Sequence, residues 1–339
     1  YQTVEQGSTE RQLYAIKLSG KGKRVLQNSK GTNGANFSAD GSYYIHSFSD
    51  EQTPPKYALY ETKKNSLIKP LLDNSELKNK ISSLGFSNRE FSTLQIHGEE
   101  LNMWMIKPSD FDPNKKYPLL MFQYSGPGSQ QVSNRWGNEQ LLWHKWLANK
   151  GFVIACVDGR GTGFKGAEFK KATYMNLVKY ETLDQIAAAK SLSELPYIDS
   201  ARIGIWGWSF GGHMATQCLL TGNETFSMAI AVAPVTNWRF YDTIYTERFL
   251  RTPQENPTGY DLNSPLNFAD QLKGKFLIIH GSGDDNVHVQ NTMRMVEALI
   301  QADKQFEWMI YPDKNHGIAG GNTRKHLFTK MTKFIIDNL

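Results

Sequence analysis

Apolar and polar positions alternate in short stretches through the first part of the chain, then give way to unbroken apolar runs, with the change near residue 80. Before it, residues 11–18 (RQLYAIKL) alternate as a half-buried strand does. Lys21-Gly22-Lys23 reads as a turn before a strand over 24–26. Asn36-Phe37-Ser38-Ala39-Asp40-Gly41-Ser42 leads into a strand over 43–46, and Pro54-Pro55 precedes another over 57–60. A Phe-Ser-x-Asp-Gly turn feeding a strand recurs in β-propeller blades. The pattern predicts one blade and part of a second, against the roughly four or more that close a propeller. A small antiparallel sheet packed on the following domain is the alternative.

Beyond the change, strands over 92–96 and 101–106 flank His97-Gly98-Glu99-Glu100 and predict a hairpin. Apolar runs of the buried parallel-strand kind follow at 119–124, 152–157, 202–206, 228–232, 276–280 and 306–311. Helical stretches fall between and after them, at 141–149, 182–193, 212–220, 290–301 and 323–338. Strands alternating with helices predict a mostly parallel sheet covered on both faces. A leading hairpin before that alternation is the order of the α/β-hydrolase fold. The expected domains are therefore 1–80, a truncated propeller remnant, and 81–339, an α/β-hydrolase domain.

Composition narrows the function classes. With 40% hydrophobic and 21% charged residues in 339, a large core can be buried. The net charge of +5 is spread along the chain, with no basic stripe to suggest nucleic acid. The two cysteines, Cys156 and Cys218, sit in apolar segments and read as buried free thiols, not a disulfide framework. No apolar run approaches the ~20 residues of a membrane-spanning helix. The first ten residues carry neither an initiator Met nor a basic-then-apolar leader. The chain is accordingly expected to be the C-terminal part of a longer parent.

The most informative stretch is Gly207-Trp208-Ser209-Phe210-Gly211-Gly212, between a predicted strand and a predicted helix. That is the context a Gly-x-Ser-x-Gly nucleophile turn requires, with the serine lifted clear of the sheet at a helix N-terminus. A serine needs a base. In this fold the order is serine, acid, histidine. His316, in the loop after the last strand, fits the base. His280 precedes the acids and reads as a packing residue, His326 lies within the last helix, and His288 stays an outside candidate. Asp284 and Asp285 both follow the 276–280 strand, and position alone does not choose between them. The oxyanion hole needs the backbone N–H after the nucleophile, that of Phe210, and a donor from the loop after 119–124. That loop has no His-Gly-Gly-Gly, but Tyr124 could offer its phenolic O–H; its alternative is a packing role.

These residues together resemble the prolyl oligopeptidase family, and within it the bacterial-type dipeptidyl peptidase IV group. The resemblance runs through nearly the whole chain. It rests on Tyr124-Ser125-Gly126-Pro127, Asp158-Gly159-Arg160-Gly161-Thr162-Gly163, the Ser209 stretch, Val235-x-x-Trp238-x-x-Tyr241-Asp242-x-x-Tyr245-Thr246-Glu247-Arg248, Asp284-Asp285-Asn286-Val287-His288 and Asn315-His316-Gly317-Ile318. It implies a triad of Ser209, Asp284 and His316, with Tyr124 and the Phe210 N–H as oxyanion donors. It implies that Val235, Trp238, Tyr241, Tyr245 and Val287 grip a penultimate proline and that Asn286 hydrogen-bonds a substrate carbonyl. No cofactor or metal is implied. Two departures are Phe210 and His213, where the group usually has tyrosines.

The implied activity is a serine exopeptidase releasing Xaa-Pro or Xaa-Ala dipeptides through an acyl-enzyme on Ser209. The implied partners are peptides with penultimate Pro or Ala, and a homodimer is a candidate assembly. The implied location is extracytoplasmic, periplasmic or at the cell surface. The family's amine-binding glutamate pair has no match here, since Glu99-Glu100 lies in the hydrolase hairpin. The fragment is therefore expected to be weakly active. An acylaminoacyl-peptidase or esterase of the same fold and an inactive binding module are the competing readings.

Overall fold

The computed structural model describes all residues, 1–339, in two compact units. One comprises residues 1–90, 106–110 and 132–150; the other comprises 91–105, 111–131 and 151–339.

In the first unit, strands β1 (Gln2–Thr3), β2 (Gln12–Ala15) and β3 (Arg24–Gln27) form a three-stranded antiparallel sheet. Strands β4 (Thr32–Phe37), β5 (Tyr43–Ser49), β6 (Lys56–Glu61) and β7 (Ser66–Leu72) form a four-stranded antiparallel meander. Both are small antiparallel sheets of the kind found in propeller blades. The Ser38–Ser42 turn is tied by its aspartate, since Asp40 accepts from the Ser38 hydroxyl at 2.7 Å and from the Ser42 N–H at 3.1 Å. The alternation does not predict β7, every residue of which is exposed. It is an edge strand containing Pro70, a residue that sheets tolerate at an edge where no ladder N–H is needed. Helices α1 (Ser75–Ser82) and α2 (Glu139–Ala148) belong to this unit too. Glu51 receives Arg89 at 2.5 Å and Lys145 at 2.7 Å, a nearly dry cluster in which each charge is paired.

The second unit is built on an eight-stranded sheet. Its strands are β8 (Glu90–Ile96), β9 (Glu99–Ile106), β10 (Tyr117–Phe122), β11 (Val153–Asp158), β12 (Ile198–Trp208), β13 (Met228–Val232), β14 (Lys275–Gly281) and β15 (Glu307–Tyr311). They lie in the order β15-β14-β13-β12-β10-β11-β9-β8. β10 to β15 are parallel to their neighbours among themselves. The β8–β9 connection turns through His97 and Gly98, both at positive φ, as tight hairpins do. Helices α3 (Ala167–Lys171), α4 (Lys179–Ser193), α5 (Phe210–Thr221), α6 (Thr243–Leu250), α7 (Pro257–Asp261), α8 (Gln290–Gln301) and α9 (Thr323–Asn338) complete it. This is the expected α/β-hydrolase arrangement.

The central strands are apolar on both faces because helices cover both: every residue of β10, β11 and β13 is buried. Cys156 and Cys218 are buried and form no disulfide. No helix is long and apolar enough to cross a membrane. β10 is flanked by β11 on one side and by β12 on the other, so the chain reverses its direction of growth there. Ligands in open α/β sheets bind beyond the carboxyl ends of the strands at such a switch.

Candidate active site

The carboxyl end of β12 runs directly into α5, and Ser209 is the joint. Its φ of 62° and ψ of −118° are a conformation that a residue with a side chain rarely adopts. Its N–H donates to the Val232 carbonyl at 2.8 Å, which holds the turn against β13. The flanking glycines are required by close approach. A Cβ on Gly207 would lie 2.3 Å from the Gly211 carbonyl oxygen, and one on Gly211 would lie 2.6 Å from that of Gln123. The Gln123 amide, fully buried, donates to the Gly211 carbonyl at 2.8 Å and ties the end of β10 to the elbow.

Tyr124 follows Gln123, and its phenol lies within electrostatic reach of the Ser209 side chain. Burial pushes its phenol up, against the Ser209 contact, so it stays a protonated donor. Phe210 opens α5, where backbone N–H groups lack intrahelical partners and the helix dipole favours negative charge.

The loop after β14 separates the two aspartates. Asp284 is buried, whereas Asp285 is exposed. Asp284 Oδ2 accepts from His316 Nδ1 at 2.7 Å, and Oδ1 accepts the N–H groups of Asn286 and Val287 at 3.0 and 2.9 Å. Burial pushes the Asp284 carboxyl up, but hydrogen bonds from His280 and His316, helped by the backbone N–H of Asn286, outweigh it and hold it well below the usual carboxylate range. His316 is anchored by its own backbone, whose carbonyl accepts from Trp208 Nε1 at 3.0 Å. The residue before Ser209 thereby fixes the loop that carries the histidine. Neither the Gln123 nor the Trp208 tether is visible in the sequence, since each joins segments far apart along the chain.

An aromatic series runs from Tyr124. Its ring lies 6.0 Å from Phe210, Phe210 lies 5.3 Å from Trp238, and Trp238 lies 6.0 Å from both Tyr241 and Tyr245. Tyr241 and Tyr245 meet edge to face at 5.4 Å. Val235 and Val287 are fully buried in the core that supports these rings. The Tyr241 hydroxyl donates to Asn286 Oδ1 at 2.8 Å. Burial pushes that phenol up to about 12, with Asp242, Tyr124 and Asp284 adding to the effect. His213 packs flat on Trp238 at 5.4 Å, and burial pushes it down to about 4. Every sequence-predicted site residue thus lies in the second unit, along the carboxyl edge of its sheet. His288 is exposed, and His326 Nδ1 meets the Tyr311 hydroxyl at 2.8 Å. No group of three or more His, Cys, Asp or Glu side chains is placed to hold a metal ion.

Residues 142–339 match the model of the prolyl oligopeptidase family. The chain belongs to the prolyl oligopeptidase family. Residues 1–55 match the dipeptidyl peptidase IV N-terminal region, which agrees with the blade-like sheets. The chain is 37% identical to a probable dipeptidyl-aminopeptidase B of Phaeosphaeria nodorum over 98% of its length and 37% of that relative's. It is 38% identical to the protein of the same name from Pyrenophora teres f. teres over 99% of its length and 38% of the relative's. Among solved structures, the dipeptidyl peptidase 4 of Porphyromonas gingivalis matches with a TM-score of 0.96 at 50% identity, over 100% of this chain and 48% of that one. A putative dipeptidyl aminopeptidase IV from Bacteroides ovatus matches at 0.89 and 34%, over 97% of this chain and 46% of that one. The chain therefore spans less than half the length of these family members.

Proposed function

We propose that this chain carries the catalytic machinery of a serine dipeptidyl peptidase acting on peptides whose second residue is Pro or Ala. The observation that carries the reading is the 2.7 Å bond from His316 Nδ1 to buried Asp284, in loops flanking the strained Ser209 elbow. Asp284 is an acceptor, so the His316 proton sits on Nδ1 and Nε2 is left to take the Ser209 proton. The Ser209 oxygen then attacks the carbonyl carbon of the second residue, and its proton passes to Nε2. Negative charge on the carbonyl oxygen meets the Phe210 N–H and the Tyr124 hydroxyl. Collapse breaks the C–N bond, the leaving amine takes the proton from Nε2, and a dipeptidyl ester remains on Ser209. Water repeats the sequence and frees the dipeptide.

A pyrrolidine ring is flat and rigid and suits the walls of Trp238, Tyr241 and Tyr245, backed by Val235 and Val287. Asn286 Oδ1 is occupied by Tyr241, which leaves its amide N–H groups to donate to a substrate carbonyl. Recognition of the substrate ammonium needs carboxylates that these residues do not supply. This chain by itself should therefore react with small phosphonates yet hydrolyse a Gly-Pro amide poorly, with little preference between free and acetylated amino termini. Extracytoplasmic location and homodimer formation extend the same reading. The test is mass spectrometry after fluorophosphonate treatment. The adduct is expected on Ser209, and an adduct elsewhere or none at all would reject the assignment. Preference for acetyl esters over prolyl substrates would point instead to an esterase or acylaminoacyl-peptidase.

A further inference from the structure

We propose that His280, outside the triad, is a positioning residue for Asp284; the inference rests on the reading of Ser209, His316 and Asp284 given above. His280 lies near the end of β14 and is fully buried. Its Nε2 is 2.7 Å from the Val287 carbonyl oxygen and 3.2 Å from Asp284 Oδ2. Its Nδ1 is 2.7 Å from the Thr292 hydroxyl. The chemistry of the partners fixes the proton. A carbonyl and a carboxylate can only accept, so Nε2 carries a hydrogen; it is directed to the Val287 carbonyl, and Asp284 Oδ2 lies beside it at 3.2 Å. Thr292 can donate into Nδ1, which supports the Nε2–H tautomer.

Oδ2 of Asp284 consequently faces two histidines, His316 Nδ1 at 2.7 Å and His280 Nε2 at 3.2 Å. Oδ1 is held separately by two backbone N–H groups, at 3.0 and 2.9 Å. The carboxylate cannot rotate without breaking bonds on both oxygens. His280 also closes a ring of contacts, because the residue whose carbonyl it binds, Val287, donates its own N–H to Asp284. Thr292 is fixed in turn. It stands in the first turn of α8 beside Asn291, whose side chain accepts the Thr236 N–H at 2.9 Å and whose carbonyl takes the Thr236 hydroxyl at 2.7 Å. Thr236 follows Val235 and lies two residues before Trp238. One buried polar chain thus runs from the aromatic pocket wall through α8 and His280 to the acid.

Losing the Nε2 donor should let the carboxylate turn and misdirect His316. Misplacement on the scale of an ångström costs up to about 100-fold in rate, and a partial loosening roughly tenfold. The experiment measures second-order labelling by a fluorophosphonate, with the adduct mapped and the melting temperature recorded. His280→Leu is expected to label about tenfold more slowly. His280→Gln, whose amide N–H can reach the same acceptors, is expected to recover to within about threefold of wild type; this rescue is what a merely space-filling role would not give. If His280→Leu fails to fold, Thr292→Val decides: it keeps the ring but removes the donor to Nδ1, and a fall of about threefold at near-wild-type melting temperature is expected. Wild-type rates in His280→Leu, in Thr292→Val, or equal impairment in His280→Leu and His280→Gln would overturn the proposal. Absence of a Ser209 adduct in the wild type would instead overturn the functional reading, and this inference with it.

Discussion

Tyr124 and Asp284 are two polar side chains of the proposed site, and each has a near-isosteric replacement that leaves no cavity. Tyr124 meets Ser209 with a phenol that burial keeps protonated. An oxyanion donor is worth ~3 kcal/mol, or ~10²-fold in rate. Tyr124→Phe should therefore slow hydrolysis of an activated acyl ester about 100-fold at an unchanged melting temperature. A change within twofold would leave Tyr124 a packing residue. The aspartates differ by environment, since Asp284 is buried on His316 and Asp285 faces solvent. Asp284→Asn puts an amide where the histidine needs an acceptor, and tautomer loss of this kind costs up to ~10⁴-fold. Asp285→Asn should stay within about threefold of wild type in the same assay. The strand-to-helix joint at Ser209 and the loop position of His316 were legible in sequence because both follow from the order of strands and helices. Position alone did not show which of the two aspartates meets His316. His280 reads as packing because its approach to Asp284 depends on how the loop after β14 folds back, which no periodicity records.

Among elements, the parallel strands were legible because burial on both faces leaves unbroken apolar runs. α6 was not: Thr243–Leu250 is rich in β-branched and aromatic residues and carries Tyr245 of the aromatic cluster, so neither period dominates. What starts α6 is a cap. Asp242 accepts the Tyr245 N–H at 2.8 Å, and the capped residue is itself a wall of the aromatic pocket. Removing such a cap costs about 1 kcal/mol. Asp242→Ala should lower the melting temperature by a few degrees and slow labelling by a prolyl dipeptide phosphonate severalfold. Labelling by a simple fluorophosphonate should be unaffected, because that reagent does not use the pocket. Equal slowing of both reagents would mean that α6 supports the triad rather than the pocket. The domain boundary expected at residue 80 followed the change from alternating to unbroken apolar patterning. The compact units divide the chain less simply, with residues 106–110 and 132–150 grouped with the first 90, because packing follows space and not chain order.

At the scale of the whole molecule, buried titratable groups set how stability varies with pH, and they pull in opposite directions. His46 and His213 are pushed down to about 4 and His144 to about 3, each chiefly by burial. A depressed histidine contributes stability that is present above about 6.5, its unfolded value, and lost as pH falls toward the folded one. Asp284, held low, adds its own loss only below about 3.9. Glu181 acts in reverse. It lies in the first turn of α4 with no side-chain exposure, and its carboxyl oxygens lack hydrogen bonds of good geometry. Burial pushes it up to about 8, against weaker relief from backbone groups and Thr173. Its folded value exceeds the unfolded one, so its contribution is complete below about 4.5 and is lost as pH rises to about 8. In the second unit, His213 and Glu181 therefore offset one another between about 4.5 and 6.5, and only the Glu181 loss continues above that range. By pH 8 the loss is at most on the order of 4 kcal/mol. Glu181→Gln keeps the shape and removes the titration. Its melting temperature should match wild type near pH 4.5 and exceed it by a widening gap, several degrees by pH 8. Scanning calorimetry of both proteins across that range is the check. A gap that stays constant with pH, or a variant less stable than wild type at pH 8, would show that Glu181 is ionised in the folded chain and held by partners that glutamine cannot replace.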